Sequence, residues 1–195
     1  MTMVHQSVAD HQWEQHRTSP GSIPPSIHSD PYLDGDIEEV VAAANEDLNT
    51  FHVVGKRPPV RTQFGLALAA RLGSDDDRRL YWRSRDYVED YERLDHLTKV
   101  SRSASEDDSA AAAAERHRAM ISSAESSMVV FFDGLSEDES WDRDICRLLE
   151  TCVARQNLGV FTVLAYSSAH DVGTGSRPRR LLAALQGRSR VLDCG

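Results

Sequence analysis

Two apolar runs separated by an amphipathic segment form the strongest pattern in this chain. The runs span residues 128–132 and 160–166. Short apolar runs bounded by turn residues are typical of strands that are buried on both faces. Between them, residues 141–153 place apolar side chains three or four positions apart, as a helix packed on a sheet does. The pattern therefore predicts a parallel βαβ unit over residues 128–166.

Further apolar stretches extend this unit into a larger domain. Strands are predicted over 51–55, 79–83 and 190–192, and helices over 61–72, 110–124 and 178–186. Alternating strands and helices indicate an α/β protein with a three-layer Rossmann- or flavodoxin-like fold and a mostly parallel sheet of about five strands. Residues 84–108 are charged, and we expect them to form an irregular excursion with some helical tendency.

The beginning of the chain has a different composition. Residues 1–35 are rich in His, Ser, Pro and Gln, and we expect a disordered N-terminal arm ahead of a single α/β domain over 36–195. Residues 36–48 have the spacing of a short amphipathic helix. Its apolar face must dock either on this domain or on a protein partner.

Charge and cysteine content narrow the functional classes. The formal net charge of -9 argues against binding to extended nucleic acid, although a small anion in a local basic pocket stays compatible with it. Three cysteines without paired spacing indicate reduced thiols and a cytoplasmic protein. No apolar run is long enough to span a membrane, and no signal peptide is recognisable. Because no His or Cys pair has metal-ligand spacing, we expect neither a metal nor another cofactor.

Acidic residues gather where the first strand of the βαβ unit ends. Asp133 and Gly134 follow that strand directly, a position that suits ligand binding and equally suits a simple turn. Asp138 and Asp144 come next, around the start of the helix. Acids in a first helical turn also interact favourably with the helix dipole, and Asp144 could instead form a salt bridge on the border of the helix. The pattern leaves these alternatives open.

Basic residues and glycines occur at the other expected strand ends. Gly55 and Lys56 follow the strand at 51–55, where they would contact a ligand or simply be solvated. The Gly-containing loop 170–176 leads into a helix that carries three arginines, namely Arg177, Arg179 and Arg180. Free helix N–H groups and guanidinium donors suit a phosphate, whereas a solvated arginine cluster would have the same sequence.

Residues 121–134, 138–146 and 163–171 together resemble the core of the nucleoside 2-deoxyribosyltransferase-like family. The resemblance implies that Asp144 is the carboxylate nucleophile and that Asp138 orients the substrate. Ser140 and Cys146 stand where that family has glycines.

The expected function is accordingly an enzyme that binds a nucleoside or nucleotide and cleaves or transfers its N-glycosidic bond. The alternative is a catalytically inactive nucleotide-sensing or scaffold domain that engages a protein partner through its N-terminal segment. The family resemblance also implies a homo-oligomer.

Overall fold

The computed structural model describes residues 21–23, 31–103, 108–135, 144–167 and 176–195. Its strands are β1 (Gly21–Ser22), β2 (Thr50–Val54), β3 (Arg79–Arg83), β4 (Val129–Leu135), β5 (Phe161–Tyr166) and β6 (Ser189–Asp193). Its α-helices are α1 (Pro31–Ala43), α2 (Pro58–Arg71), α3 (Ser84–Ser103), α4 (Asp108–Ser126), α5 (Asp144–Asn157) and α6 (Ser176–Leu185), and a 3-10 turn (Gln186–Arg188) follows α6.

The six strands form one sheet in the order β1-β3-β4-β5-β2-β6. All neighbouring strands are parallel except β1, which pairs antiparallel with β3. The predicted fold class is thus confirmed, with six strands rather than about five. The βαβ unit is also confirmed, since β4 and β5 are parallel neighbours and α5 lies between them in the chain.

Each face of the sheet is covered by a separate layer of helices. On one face, α2 packs Phe64 and Leu68 into a cluster with the alternate strand residues Phe51 and Phe131. On the other face, a second cluster joins residues of α3, α4, α5 and α6 to the intervening strand residues. The central strands β4 and β5 are largely apolar because they are buried from both sides.

The charged region after β3 differs from the sequence-based expectation of an irregular excursion. Residues 84–103 form the regular helix α3. Its Tyr87 is fully buried, with its ring centroid 5.2 Å from that of Trp82 and 5.0 Å from that of Phe132. The narrow apolar stripe that docks this helix is hard to recognise in the sequence because charged residues occupy most of the remaining positions.

Part of the predicted N-terminal arm belongs to the fold. Gly21 and Ser22 extend the sheet as β1, and α1 begins at Pro31, earlier than predicted. Ile37 and Val40 of α1 are 0% and 1% exposed and belong to the cluster around α2. The structure therefore shows that this amphipathic helix docks on its own domain, which was one of the two alternatives. The other residues of the arm lie outside the described ranges.

Among the described helices, none is long and apolar enough to cross a membrane.

Candidate functional site

A buried polar cluster connects α2 to the carboxyl ends of the central strands. The Thr62 hydroxyl donates to Asp133 Oδ2 at 2.7 Å, and the Tyr81 hydroxyl donates to the same oxygen at 3.3 Å. Arg61, which is 1% exposed, donates from Nη1 to the carbonyl oxygen of Gly55 at 2.8 Å. The cluster therefore joins residues that follow β2 to the end of β4, although β5 lies between these two strands in the sheet.

The local sequence explains why α2 begins so close to β2. Pro58 and Pro59 occupy its first positions, where a fixed φ favours the helix and a missing N–H leaves no intrahelical bond unmade. About two turns later, Gly65 permits close contact with the sheet, since an added Cβ would lie only 2.4 Å from Cζ of Phe131. The start of α2 is thus fixed against β4, and this contact sets the position of Thr62.

The electrostatics of the cluster centre on Asp133, which is 7% exposed. Burial raises the pKa of Asp133, while the hydrogen bond from Thr62 and the positive charge of Arg61 act in the opposite direction. Asp133 Oδ1 is buried and has no hydrogen-bond partner among the residues that the structure describes. Burial likewise raises the pKa of the Tyr81 hydroxyl, so Tyr81 acts as a neutral donor.

Four of the predicted site residues lie at the carboxyl ends of the strands, near this cluster. Asp133 and Gly55 take part in the cluster directly. Gly134 adopts a φ of 71°, as a turn requires, and Lys56 is exposed. Gly55 also has a packing role, because a Cβ there would lie 2.5 Å from Sγ of Cys194.

The remaining predicted site residues are not brought into this cluster. Asp138 lies outside the described residues, as does the loop 170–175, and Asp144 is the first residue of α5 with an undescribed side chain. On α6, Arg177 forms an ion pair with Glu150 of α5, and Arg179 and Arg180 are exposed.

A groove of about 1100 Å³ lies on the other face of the sheet, between α3, α5 and α6. Arg177 and Glu150 line it, together with Arg147, whose guanidinium carbon is 5.5 Å from the ring centroid of Tyr91. Its walls carry both signs of charge. The groove is separated from Asp133 by the sheet, so we do not assign it to the same site.

The sequence-based prediction missed Arg61 and Thr62, although a spacing signal was present. Gly55, Val60, Arg61 and Thr62 have the spacing of the phosphate-binding pattern Gly-x-x-x-x-Gly-Lys-[Ser/Thr], with Val and Arg in place of the second Gly and the Lys. In proteins with that loop, the Ser/Thr and an Asp hold Mg²⁺ beside the phosphates. Thr62 and Asp133 are in contact within an α/β fold that is consistent with a Rossmann-like P-loop domain.

Comparisons with known proteins agree with this class of fold. No protein-family model matches the sequence, and no curated protein matches it. Among solved structures, the DnaC helicase loader is similar with a TM-score of 0.57 and 15% identity, over 85% of this chain and 92% of that one. AMPPCP-bound DnaA from Aquifex aeolicus is similar with a TM-score of 0.57 and 14% identity, over 86% of this chain and 48% of that one.

A DNA replication initiation factor is also similar, with a TM-score of 0.54, 14% identity, and coverage of 83% of this chain and 43% of that one. This chain thus spans less than half the length of these two initiator structures. At such low identity, the likeness establishes the fold alone.

These findings overturn the nucleoside 2-deoxyribosyltransferase-like resemblance, and with it the expected cleavage or transfer of an N-glycosidic bond. The resemblance rested on 121–171, a helix, strand, helix and strand whose pattern many parallel α/β folds share. The segment that distinguishes this fold, from Gly55 to Thr62, lies outside that stretch. The expected exclusion of nucleic acid also finds no support, because one similar DnaA structure is described as bound to AMPPCP and single-stranded DNA.

Proposed function

We propose that this protein is a non-hydrolysing scaffold domain that binds a protein partner. The observation that carries the proposal is the altered segment between β2 and α2. The likeness of the domain's fold to AMPPCP-bound DnaA and to the DnaC helicase loader supports either nucleotide or protein binding. The residues in the position of the phosphate loop disfavour a triphosphate, so of the two we choose protein binding without ATP turnover.

The segment from Gly55 to Thr62 is poorly suited to a triphosphate. A phosphate loop surrounds its ligand with backbone N–H groups and depends on glycine for the close approach. Here Pro58 and Pro59 have no N–H, and Val60 replaces the second glycine. Arg61 donates to the Gly55 carbonyl at 2.8 Å, so its guanidinium folds back onto the segment that would enclose a phosphate.

The expected Mg²⁺ position is similarly altered. Asp133 is buried, its raised pKa favours the protonated form relative to an exposed carboxyl, and Thr62 and Tyr81 both donate to one of its oxygens. Gly134 follows Asp133 and offers no side chain to orient a water molecule. We therefore assign no Mg²⁺-nucleotide to this site and no hydrolytic step to the protein.

Calorimetric titration with Mg-ATP, together with phosphate-release measurements, tests the proposal. We expect no saturable binding of Mg-ATP at concentrations up to about 1 mM, which is the upper end of ordinary KM values. We also expect no phosphate release above background. Micromolar binding would overturn the scaffold proposal. The retained Thr62–Asp133 contact favours a second candidate, a nucleotide sensor. Binding without phosphate release would select that candidate.

For the partner, the similarity to a helicase loader and to replication initiators makes replication proteins the first class to test. We expect the purified chain to bind either the initiator or the replicative helicase of its own organism, equally well with and without ATP. Failure of both to bind would exclude the replication assignment. A matched chain lacking residues 1–20 tests the N-terminal segment without removing β1 or α1.

We also retain a cytoplasmic location as a proposal. It is supported by the three cysteines, which form no disulfide and of which two are buried.

A further inference from the structure

The segment that contains α6 and β6 differs in charge from the rest of the chain. Residues 176–195 contain one acidic residue, Asp193, in a protein whose formal net charge is -9. They contain five arginines, Arg177, Arg179, Arg180, Arg188 and Arg190. We refer to the exposed side chains of this segment, with the outer edge of β6, as the α6–β6 surface. Its positive charge suits an acidic partner.

The two outer edges of the sheet differ in how their backbone groups are paired. At one edge, β1 pairs antiparallel with β3 and covers it. At the other edge, β6 pairs with β2 on one side, and no strand among the described residues pairs with its other side. Such an edge presents unpaired N–H and C=O groups that can pair with another chain. Neither the Lys nor the Pro that often blocks such pairing occurs between Ser189 and Asp193.

The backbone direction identifies which groups face this open edge. The N–H of Cys194 donates to the carbonyl oxygen of Val54 at 2.8 Å, so it points toward β2. Along a parallel strand, alternate residues point their backbone groups to opposite sides. The N–H of Val191, three residues earlier, therefore points away from β2. The Val191 side chain is 58% exposed, which is unusual for a large apolar residue of this protein.

Part of the arginine charge is already balanced within the domain. Arg177 pairs with Glu150, and Arg190 donates from Nη2 to Glu39 Oε1 at 2.8 Å. Arg179 and Arg188 are exposed and form no ion pair with any described residue. Arg188 lies immediately before β6, and Arg179 lies near the start of α6, which carries the chain from β5 past β2 to β6. Arg188 therefore places unbalanced positive charge beside the open edge, and Arg179 adds to the positive charge of the same segment.

We propose that the α6–β6 surface binds an acidic, extended segment of a partner protein, which adds to β6 as a further strand. Backbone pairing would supply affinity, and the arginines would select acidic side chains. A single nucleic-acid strand is disfavoured, because such ligands bind by stacking on aromatic rings and residues 176–195 contain none. The inference rests on the proposed function in one respect, that the domain acts by binding a protein.

Fluorescence anisotropy with the full chain tests this proposal. The probe is a labelled peptide in which Glu and Val alternate. Its length of about eight residues lies within the usual range for a β-strand. Val191→Pro removes the outward N–H and should leave the β2–β6 ladder intact. Arg179→Glu with Arg188→Glu reverses the unbalanced charge. The matched control is Arg116→Glu, which changes an exposed arginine on α4.

We expect saturable binding that is weakened about tenfold or more by Val191→Pro and by the double arginine variant. Arg116→Glu should leave the affinity within about twofold, and a Lys–Val peptide should not bind. Circular dichroism checks that each variant is folded. If Val191→Pro is unfolded, the double arginine variant still decides the role of charge. The role of backbone pairing is then tested with a peptide probe that is N-methylated at alternate residues. This probe should bind to the wild-type protein about tenfold more weakly than the unmethylated peptide.

Several outcomes would overturn the proposal. They are absence of binding by the Glu–Val peptide, equal binding of the Lys–Val peptide, and equal affinity of the folded Val191→Pro variant. Tighter binding of an oligothymidine probe, lost on arginine reversal, would indicate a nucleic-acid surface instead. A dimer that Val191→Pro dissociates would indicate that a second copy occupies the edge. Micromolar ATP binding would count against the proposed function alone, since these peptide titrations contain no nucleotide.

Discussion

At the scale of single residues, Thr62 links the first turn of α2 to the end of β4. Its hydroxyl and Asp133 are 71 positions apart in the chain and 2.7 Å apart in the fold. A hydrogen bond between a hydroxyl and a buried acid restrains both elements at once. The contact thereby stabilises the packing of α2 against the carboxyl end of β4.

Thr62→Val should destabilise the protein by about 1.5 to 3 kcal/mol, the usual cost of removing a hydrogen bond to a charged or buried acidic group. Thr62→Ser keeps the hydroxyl and loses one methyl group, so it should cost about 1 kcal/mol. Urea unfolding of the three proteins measures both values. Equal destabilisation by Val and Ser would show that packing, rather than the hydrogen bond, gives Thr62 its role.

His52 is a buried titratable residue in β2. Its Nδ1 is 3.0 Å from the Tyr166 hydroxyl, and burial lowers the pKa of His52 from 6.5 to about 4. Since the folded state disfavours the charged ring, the unfolded state binds more protons below pH 6.5. The neutral imidazole therefore contributes stability at neutral pH that is lost on acidification.

We expect the free energy of unfolding to fall between about pH 6.5 and 4, with a contribution from His52 of up to about 1.4 kcal/mol per pH unit. His52→Asn keeps a polar atom near Tyr166 and removes this titration. Urea unfolding at several pH values, with the variant subtracted from the wild type, isolates the effect. A difference that stays constant with pH would show that His52 does not account for acid sensitivity.

Asp133 illustrates what residue-level reasoning can achieve. Its place at the end of an apolar strand identified it as a candidate, and the structure shows it in a buried polar cluster. Arg61 and Thr62 were missed because the helix was expected to begin at Arg61, with the prolines ahead of it. The structure instead includes Pro58 and Pro59 in α2.

At the scale of elements, Arg155 of α5 joins several segments at the amino ends of the strands. Its guanidinium donates to the carbonyl oxygens of Ala124 at 2.7 Å, Ser127 at 2.8 Å and Phe161 at 2.6 Å. Burial lowers the pKa of Arg155 to about 10, so it stays charged at neutral pH. One side chain thus provides hydrogen-bond donors for backbone carbonyl groups at the end of α4 and at the starts of β4 and β5.

Arg155→Met should therefore cost about 3 kcal/mol or more, because several buried carbonyls lose their donor together. Arg147→Met is the matched control on the same helix, since Arg147 is exposed and should cost less than about 1 kcal/mol. Thermal and urea unfolding measure both variants. Similar losses for the two would contradict a central role for Arg155.

Periodicity predicted most elements but placed their ends poorly. The strand at Arg79–Arg83 matches its predicted bounds, because its apolar residues Leu80, Tyr81 and Trp82 are consecutive in the sequence and are flanked by arginines. Helix α3 was expected to be irregular, since its exposed face is rich in charge and its buried stripe is narrow.

At the scale of the whole molecule, side-chain hydrogen bonds connect the start of α2 to the carboxyl ends of the central strands. Thr62 donates to Asp133 and Arg61 donates to the carbonyl oxygen of Gly55 where a nucleotide would sit in a related fold, while Asp133 Oδ1 has no partner among the described residues. A ligand that binds only the folded state raises stability, by about 2.7 kcal/mol at a hundredfold excess over its Kd. A scaffold of the proposed kind lacks this coupling.

We therefore expect Mg-ATP at about 1 mM, an ordinary upper value for enzyme–substrate affinities, to leave the melting temperature unchanged. Differential scanning calorimetry with and without Mg-ATP measures this, and Mg-ADP serves as a second ligand. A rise of several degrees with either nucleotide would indicate specific binding to the folded domain. It would favour the nucleotide sensor over the scaffold.

The sequence by itself determined the α/β class, the parallel βαβ unit and the position of Asp133 at a strand end. These properties are local, since they depend on the spacing of apolar and turn residues within about twenty positions. The sequence pattern also placed an amphipathic helix near residue 37 but left its docking site open.

Only the tertiary structure decided the strand order, the contact between Thr62 and Asp133, and the open edge at β6. Each depends on elements that are distant in the chain, and similar apolar strands can pair in several orders with little change in local pattern. The identity of the fold rested on that order. For this reason, the family resemblance drawn from residues 121–171 was wrong, although the βαβ unit within them was predicted correctly.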